Sequence, residues 1–325
     1  MGNSNSRAIS SGDKSKTVPT PVESAAYTTA FKTLPKEMVL KIGERLSLKD
    51  KARLSRTSKY YHGLFQPDLR AARLLSLVVR GEQGAADGML SLYPALLLKA
   101  SDVTDYSGRT FHCTAHEYAY WAKDTHMCRM LERHMDDTAK AQMLARVDEI
   151  ERIDKTTNQP VGLAYRQYGA EHRSAHFDLT RLKTALQRYV DRYHAGFFGR
   201  DWLAMKQLGM AQRDVPAHVA QEYCREDRSF HPCPPFNEPT LPRKFIASNW
   251  EILRFYYWFP IIPGLGSEYV FIRGQERDCH ACDTISAAVV YDLAAITYLD
   301  KVRTADLTLL REHLNHPIMS HGMSM

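Results

Sequence analysis

The sequence predicts a mainly α-helical protein made of several parts, and three observations support this prediction. From residue 31 onward, apolar residues recur at spacings of three and four, as one face of a helix requires. Hydrophobic residues make up 44% of the chain and charged residues 25%, proportions that are typical of a folded protein. No stretch approaches about 18 consecutive apolar residues, and the start of the chain lacks the apolar segment of a signal peptide. We therefore expect helices that pack on one another, without a transmembrane span.

Residues 1–30 predict a disordered tail. They are rich in Ser, Thr, Asn, Gly and Pro and contain few large apolar residues, and such a segment cannot bury enough surface to offset its chain entropy. Within this tail, Gly2 and Ser6 match the pattern for N-myristoylation, although a Ser-rich and Asn-rich tail can match it by chance. One acyl chain would give only weak membrane association, about 10⁴ M⁻¹.

Residues 31–70 predict a compact unit of short helices. Pro35 suits the first turn of a helix, where its missing N–H has no cost. The first helix should carry four apolar residues on one face: Met38, Val39, Ile42 and Leu46. Ser47 followed by Asp50 predicts the capped start of a second helix. Ser58 should cap a third, short turn with three more apolar residues: Tyr61, Leu64 and Phe65.

This unit resembles an F-box. The resemblance rests on Leu34-Pro35-Lys36-Glu37-Met38, followed at the family's spacing by Ile42, Leu46, Asp50, Leu54 and Leu64. F-box proteins use this unit to bind the Skp adaptor of cullin-RING (SCF) ubiquitin ligases, and they hold a target protein with the remaining chain. The resemblance implies the following partner-binding residues: Leu34, Pro35, Met38, Val39, Ile42, Leu46, Leu54 and Leu64. The alternative is an ordinary helical hairpin of a larger domain.

Residues 71–135 resemble degenerate ankyrin repeats. Asp105-Tyr106-Ser107-Gly108-Arg109-Thr110-Phe111-His112, then Ala115, is similar to the ankyrin turn-and-helix signature. We expect a β-turn at Ser107-Gly108, and Thr110 as the cap of the next helix. The predicted turn residues are Asp105, Gly108, Thr110, His112 and Ala115. A plain helical pair remains the alternative.

Residues 136–325 predict a helical C-terminal domain of unknown role. One helix should follow Asp178 and bury Leu179, Leu182, Leu186, Tyr189 and Tyr193, and another should cover 283–315. Between them, the Pro-rich residues 231–243 predict an extended connection. The aromatic residues in 250–259 favour a segment that faces the core over a ligand groove.

Cysteine and histidine residues suggest two kinds of chemistry, and we expect neither. Cys279 and Cys282, with Cys224, His231 and Cys233 upstream, could form a zinc site, but their spacing matches no standard pattern. A Cys/His hydrolase could use nearby pairs, namely Cys113, Cys128, His112, His116 and His126, or Cys279 with His280. No family-specific surround accompanies them, so the prediction contains no catalytic residue, metal or cofactor.

The expected function is that of a non-catalytic adaptor. The net charge is +6 but the basic residues are scattered, so no nucleic-acid partner is predicted. An F-box joined to ankyrin-like repeats and an acylation pattern resembles the effector proteins that intracellular bacteria deliver into host cells. That resemblance implies the Skp adaptor, a cullin and an unidentified target as partners, in the host cell cytoplasm. The alternatives are a membrane-associated ankyrin-type scaffold and an enzyme with a Cys/His site in the C-terminal domain.

Overall fold

The computed structural model describes residues 34–196, 202–245, 247–249, 254–256, 269–271 and 282–315. Mainly α-helical architecture is confirmed. The predicted disordered tail, Gly2, Cys279 and His280 lie outside the described residues, as do the side chains of the aromatic segment 250–259.

The chain divides after Phe65 into two compact units. In the first unit, α1 (Lys36–Glu44) and α2 (Leu48–Ser55) precede the start of α3 (Lys59–Val79). The predicted cap of α2 is confirmed, because the Ser47 hydroxyl accepts a hydrogen bond from the Asp50 amide at 3.2 Å. Ser58 likewise accepts from the Tyr61 amide at 3.2 Å. However, α3 is not the short turn that was expected, since it continues for 21 residues.

The second unit begins with helices and a small sheet. The elements are α4 (Gln83–Leu92), a 3₁₀ helix (Pro94–Leu98), β1 (Ser101–Thr104), β2 (Thr110–Cys113), α5 (Ala115–Trp121), α6 (Thr125–Glu132), α7 (Asp137–Glu151), β3 (Leu163–Gln167) and β4 (Ala170–Ser174). The four strands form one antiparallel sheet in sequence order, with Phe111 opposite Tyr165. Side chains of these elements and of α3 contribute to a first core cluster, which includes Leu74, Phe111, Trp121, Leu131 and Val147.

Among the described residues, the rest of the second unit contains four helices, three short strands and an irregular segment. Its elements are α8 (Thr180–His194), α9 (Trp202–Arg213), α10 (Ala217–Tyr223), β5 (Ala247–Asn249), β6 (Arg254–Tyr256), β7 (Tyr269–Phe271) and α11 (Cys282–Asn315). Leu179, Leu182, Leu186 and Tyr189 are buried as predicted. They belong to a second core cluster, which also includes Val215, Ala220, Phe236, Ile296 and Leu299.

The helix α11 contributes to both core clusters. Ile296 and Leu299, near its middle, pack in the second cluster, whereas Leu307, Leu310 and Leu314, nearer its end, belong to the first. The boundary expected at 135/136 therefore does not separate two cores. The sheet explains why: β2 from the ankyrin-like segment pairs with β3 from the predicted C-terminal domain. Among the described residues, every helix is too short or too polar to span a bilayer.

Candidate functional site

The candidate docking site lies on the N-terminal unit, and a small aromatic core shapes it. Val39, Tyr61 and Phe65 are buried, at 0%, 4% and 1% exposure. Gly43 lies directly against this core, because a Cβ atom placed on it would come within 2.8 Å of Cε1 of Phe65. Glycine at this position therefore allows α1 to approach α3 closely.

The eight predicted partner-binding residues divide into three groups. Val39 was predicted to face the adaptor, and this is wrong, because its side chain packs inside the unit. Four others are partly buried against the same core: Leu34, Leu46, Leu54 and Leu64. Pro35, Met38 and Ile42 remain exposed, the last two at 51% and 36%. The apolar surface available for docking is thus smaller than the apolar face read from the sequence.

Helix geometry brings the exposed apolar residues together. Met38 and Ile42 are four residues apart, so they lie one above the other on α1. We call Met38 and Ile42 the apolar stripe. Leu34 precedes the helix and is partly buried against the core of the unit. Leu40, which is 40% exposed, lies on a different side of the same helix, about 200° around from Met38.

The predicted repeat turn has a structural role in a β-hairpin. The Asp105 carboxylate is buried and accepts from the backbone amides of Ser107 and Arg109 at 3.0 and 2.9 Å. Gly108 has a φ of +84°, and its amide closes the turn by donating to the Asp105 carbonyl at 3.0 Å. Because Asp105 is nearly inaccessible, its polar atoms stabilise the turn and do not present a recognition surface.

Thr110 was predicted to cap the following helix, and this is wrong. Thr110 begins β2, and its hydroxyl is 3.0 Å from that of Thr104 across the hairpin. The cap is Thr114, which forms a capping box with Glu117. The helix α5 therefore begins at Ala115, which is buried as expected, while His112 is exposed and pairs with Asp102 at 2.7 Å.

Arg109 connects this turn to a distant part of the second unit. Its Nε donates to Asp105 Oδ2 at 2.7 Å, and its Nη2 donates to the carbonyl of Asp214 at 2.8 Å. The guanidinium also lies 5.2 Å from the ring of Trp121 and 5.0 Å from that of Phe177. Such a buried arginine is stabilised only where its donors are satisfied, so the turn depends on the helical part for its environment.

A second set of charged side chains, three of them buried and two partly buried, joins three segments of the second unit. We call Glu222, Arg225, Arg228, Glu238 and Arg303 the arginine–glutamate cluster. Arg303 Nη2 lies 3.0 Å from Glu222 Oε1, and both side chains are at most 2% exposed. Arg228 reaches Glu222 at 2.5 Å and Glu238 at 2.8 Å. Burial raises the pKa of Glu222, and the three arginines act in the opposite direction.

The Pro-rich residues 231–243 have no regular secondary structure, as predicted, but they are firmly packed. Phe236 is fully buried, and its carbonyl accepts from Arg303 at 3.2 Å. Arg243 donates to both carboxylate oxygens of Asp124, at 2.7 and 2.9 Å. The sequence pattern missed these contacts because isolated charged residues normally indicate a solvated surface.

The candidate cysteines among the described residues are mostly buried. Cys113 and Cys128 lie in the first core cluster, and burial raises the pKa of each thiol. A raised pKa disfavours the thiolate, which is the nucleophilic form. Cys224 is buried and Cys233 is exposed. Within the part of the chain that the structure describes, no group of three His, Cys, Asp or Glu residues could hold a metal ion.

Two comparisons place the chain among known proteins. Residues 181–314 match a family described as "CBUA0006 C-terminal domain", and this match includes the whole arginine–glutamate cluster and nearly all of α11. The chain is also 40% identical over 257 residues to a Coxiella burnetii protein named "Uncharacterized protein CBUA0006", and the alignment covers 75% of each chain. No solved structure matches the chain. The chain therefore belongs to the family of the Coxiella burnetii protein CBUA0006.

Proposed function

We propose that this protein is a non-catalytic adaptor that docks on the Skp adaptor of an SCF ubiquitin ligase and recruits a target protein. The observation that supports this proposal is the apolar stripe: Met38 and Ile42 remain exposed although the unit has an apolar core of its own. Exposed apolar side chains in one line on a helix fit docking into an apolar groove of a partner.

The bacterial relative is consistent with the expected context. An effector delivered by an intracellular bacterium would act on the ubiquitin machinery of a host cell, and the Coxiella burnetii relative fits that setting. In this proposal the protein works in the host cytoplasm, and the second unit holds the target. Acylation of Gly2 would add a weak membrane attachment.

Co-purification of the full-length chain with the Skp adaptor tests this proposal. The variant Met38→Asp/Ile42→Asp places two charges on the stripe, and we expect it to abolish detectable binding. Central apolar residues of an interface commonly contribute about 2 kcal/mol each, which corresponds to about a 30-fold loss of affinity.

The matched control is Leu40→Asp. It introduces the same charge in the same helix, at a site of similar exposure outside the stripe. We expect the Leu40→Asp variant to co-purify with the Skp adaptor. The circular dichroism spectrum of every variant should equal that of the unchanged chain. If the double variant still co-purifies with the adaptor, or if the unchanged chain does not, the F-box proposal is refuted.

A further inference from the structure

A groove that the docking proposal does not use lies between α3 and α4, entirely within the second unit. It encloses about 520 Å³, within the range of ligand-binding pockets. Its apolar wall includes Leu69, Leu77 and Met89, of which Leu77 is buried and the other two are partly exposed. At the end of α4 the groove also reaches Leu92, which is 72% exposed. The groove therefore offers several apolar side chains to a partner.

The groove is also positively charged. Arg70 and Arg73 both line it, three residues apart on α3. Arg70 is held along the wall, because its Cζ lies 4.0 Å over the ring of Tyr93. Among the residues that the structure describes, no carboxylate lines this groove.

The nearby carboxylates are engaged with other side chains. Asp68 pairs with Lys99 at 2.7 Å, and Asp87 lies 2.6 Å from Nε2 of His134. Glu82 pairs with Arg80 at 2.5 Å. The described residues of the groove therefore do not neutralise the charge of Arg70 and Arg73.

We propose that this groove binds a peptide segment of another protein, apolar on one side and carrying Asp or Glu beside the apolar residues. The apolar wall would bury the apolar side chains, and Arg guanidinium groups suit carboxylates because they can donate two parallel hydrogen bonds. In a substrate receptor such a segment would belong to the recruited target. The groove proposal does not depend on adaptor docking, because no groove residue belongs to the first unit.

Charge and shape favour such a peptide over two other occupants of the groove, namely the chain's own residues 1–33 and a bilayer surface. The chain's own residues 1–33 carry four basic residues against two acidic ones, Asp13 and Glu23, so they do not complement two arginines. A bilayer surface could attract the same arginines, but it cannot enter a concave site. A peptide can enter the groove and use both its apolar wall and its charge.

Selection from a displayed library of random peptides against the full-length chain tests this proposal. We expect the enriched peptides to combine large apolar residues with Asp or Glu. Gly88→Leu should fill the groove without disturbing α4, because Gly88 lines it and nothing lies within 4 Å of a Cβ atom built there. Its matched control is Gly84→Leu, at an equally open glycine of α4 that does not line the groove.

Affinities of the enriched peptides, measured by fluorescence anisotropy, decide the outcome. Gly88→Leu and Arg73→Glu should each weaken binding by about tenfold or more, while Gly84→Leu and the exposed strand control Arg166→Glu should not. All four variants should still co-purify with the Skp adaptor. A failure of the groove proposal can therefore be distinguished from a failure of adaptor docking. The absence of any enrichment would overturn the proposal, as would peptides that are indifferent to Gly88→Leu. It would also be overturned if Arg73→Glu instead abolished binding to phosphatidylserine vesicles.

Discussion

At the scale of single residues, burial decides what the polar side chains do. Asp105 and Arg109 belong to a sequence motif that resembles the turn of an ankyrin repeat, yet both are at most 3% exposed and stabilise a hairpin. His126 and His218 are buried near Asp124 and Arg303. The Nε2 of His126 lies 2.8 Å from the Glu238 carbonyl, a geometry in which the neutral ring donates the hydrogen bond. These buried polar side chains therefore stabilise contacts within the second unit.

The two histidines predict that acid destabilises the second unit. Burial lowers the pKa of His126 to about 4 and that of His218 to about 3, below the ordinary value of about 6.5. Between about pH 6.5 and pH 4 the unfolded chain therefore binds protons that the folded chain does not. Stability should fall with decreasing pH in this window, by up to about 1.4 kcal/mol per pH unit for each histidine.

Urea unfolding of the unchanged chain and of His126→Gln at several pH values measures this effect. Gln can still donate to the Glu238 carbonyl but does not titrate, so the variant should show a shallower pH dependence. Burial raises the pKa of Glu222. Because Glu222 is present in both proteins, its contribution cancels in the difference between the two slopes. Equal slopes for the two proteins would contradict the prediction.

At the scale of secondary-structure elements, local signals located several helices but misplaced the start of α5. Ser47 with Asp50 begins α2 as predicted, because a cap depends on residues only three apart. The motif around Asp105 led to a helix start at Thr110, where the chain instead forms β2. β2 pairs with β1 across the turn and also with β3, more than 50 residues later, and the second pairing leaves no local signal in the sequence.

A pair of glycines tests how closely α1 packs on α3. Gly43→Ala places a methyl group against Phe65, and overpacking of this kind costs about 1–3 kcal/mol. That cost should exceed the gain in helix propensity, which is at most about 1 kcal/mol. Gly63→Ala is the control, because the space beside Gly63 in α3 is open and the same propensity gain should stabilise the helix.

Amide hydrogen exchange in the full-length chain distinguishes the two variants, because it reports on local opening. Exchange in α1 should become faster in Gly43→Ala, whereas Gly63→Ala should slow exchange in the first turns of α3. Unchanged or slower exchange of α1 in Gly43→Ala would show that Phe65 moves aside without cost, and that the close contact is not important.

At the scale of the whole molecule, α11 is the element that connects the two core clusters of the second unit. Its residues pack into the second cluster at Ile296 and Leu299 and into the first at Leu307 and Leu310. Arg303 lies between these two groups and reaches Glu222 on α10. We therefore expect the two clusters to unfold together.

The variant Leu299→Ala tests this coupling. Leu299 is fully buried, so its truncation should cost about 2–5 kcal/mol. Hydrogen exchange should become faster in α8, which belongs to the second cluster, and also in α6, which belongs to the first. The control Leu309→Ala, on the same helix at 58% exposure, should change exchange little. Faster exchange confined to α8 would mean that each cluster unfolds independently.

The sequence by itself determined that the chain is mainly helical, where α2 begins, and which faces of α8 and α11 are apolar. These features follow from periodicity and caps, which involve residues only a few positions apart. Only the tertiary structure decided that Val39 is buried while Met38 and Ile42 are exposed, and that Arg109 reaches Asp214. Those outcomes depend on which elements pack together, as the contact between Arg109 and a residue 105 positions later illustrates.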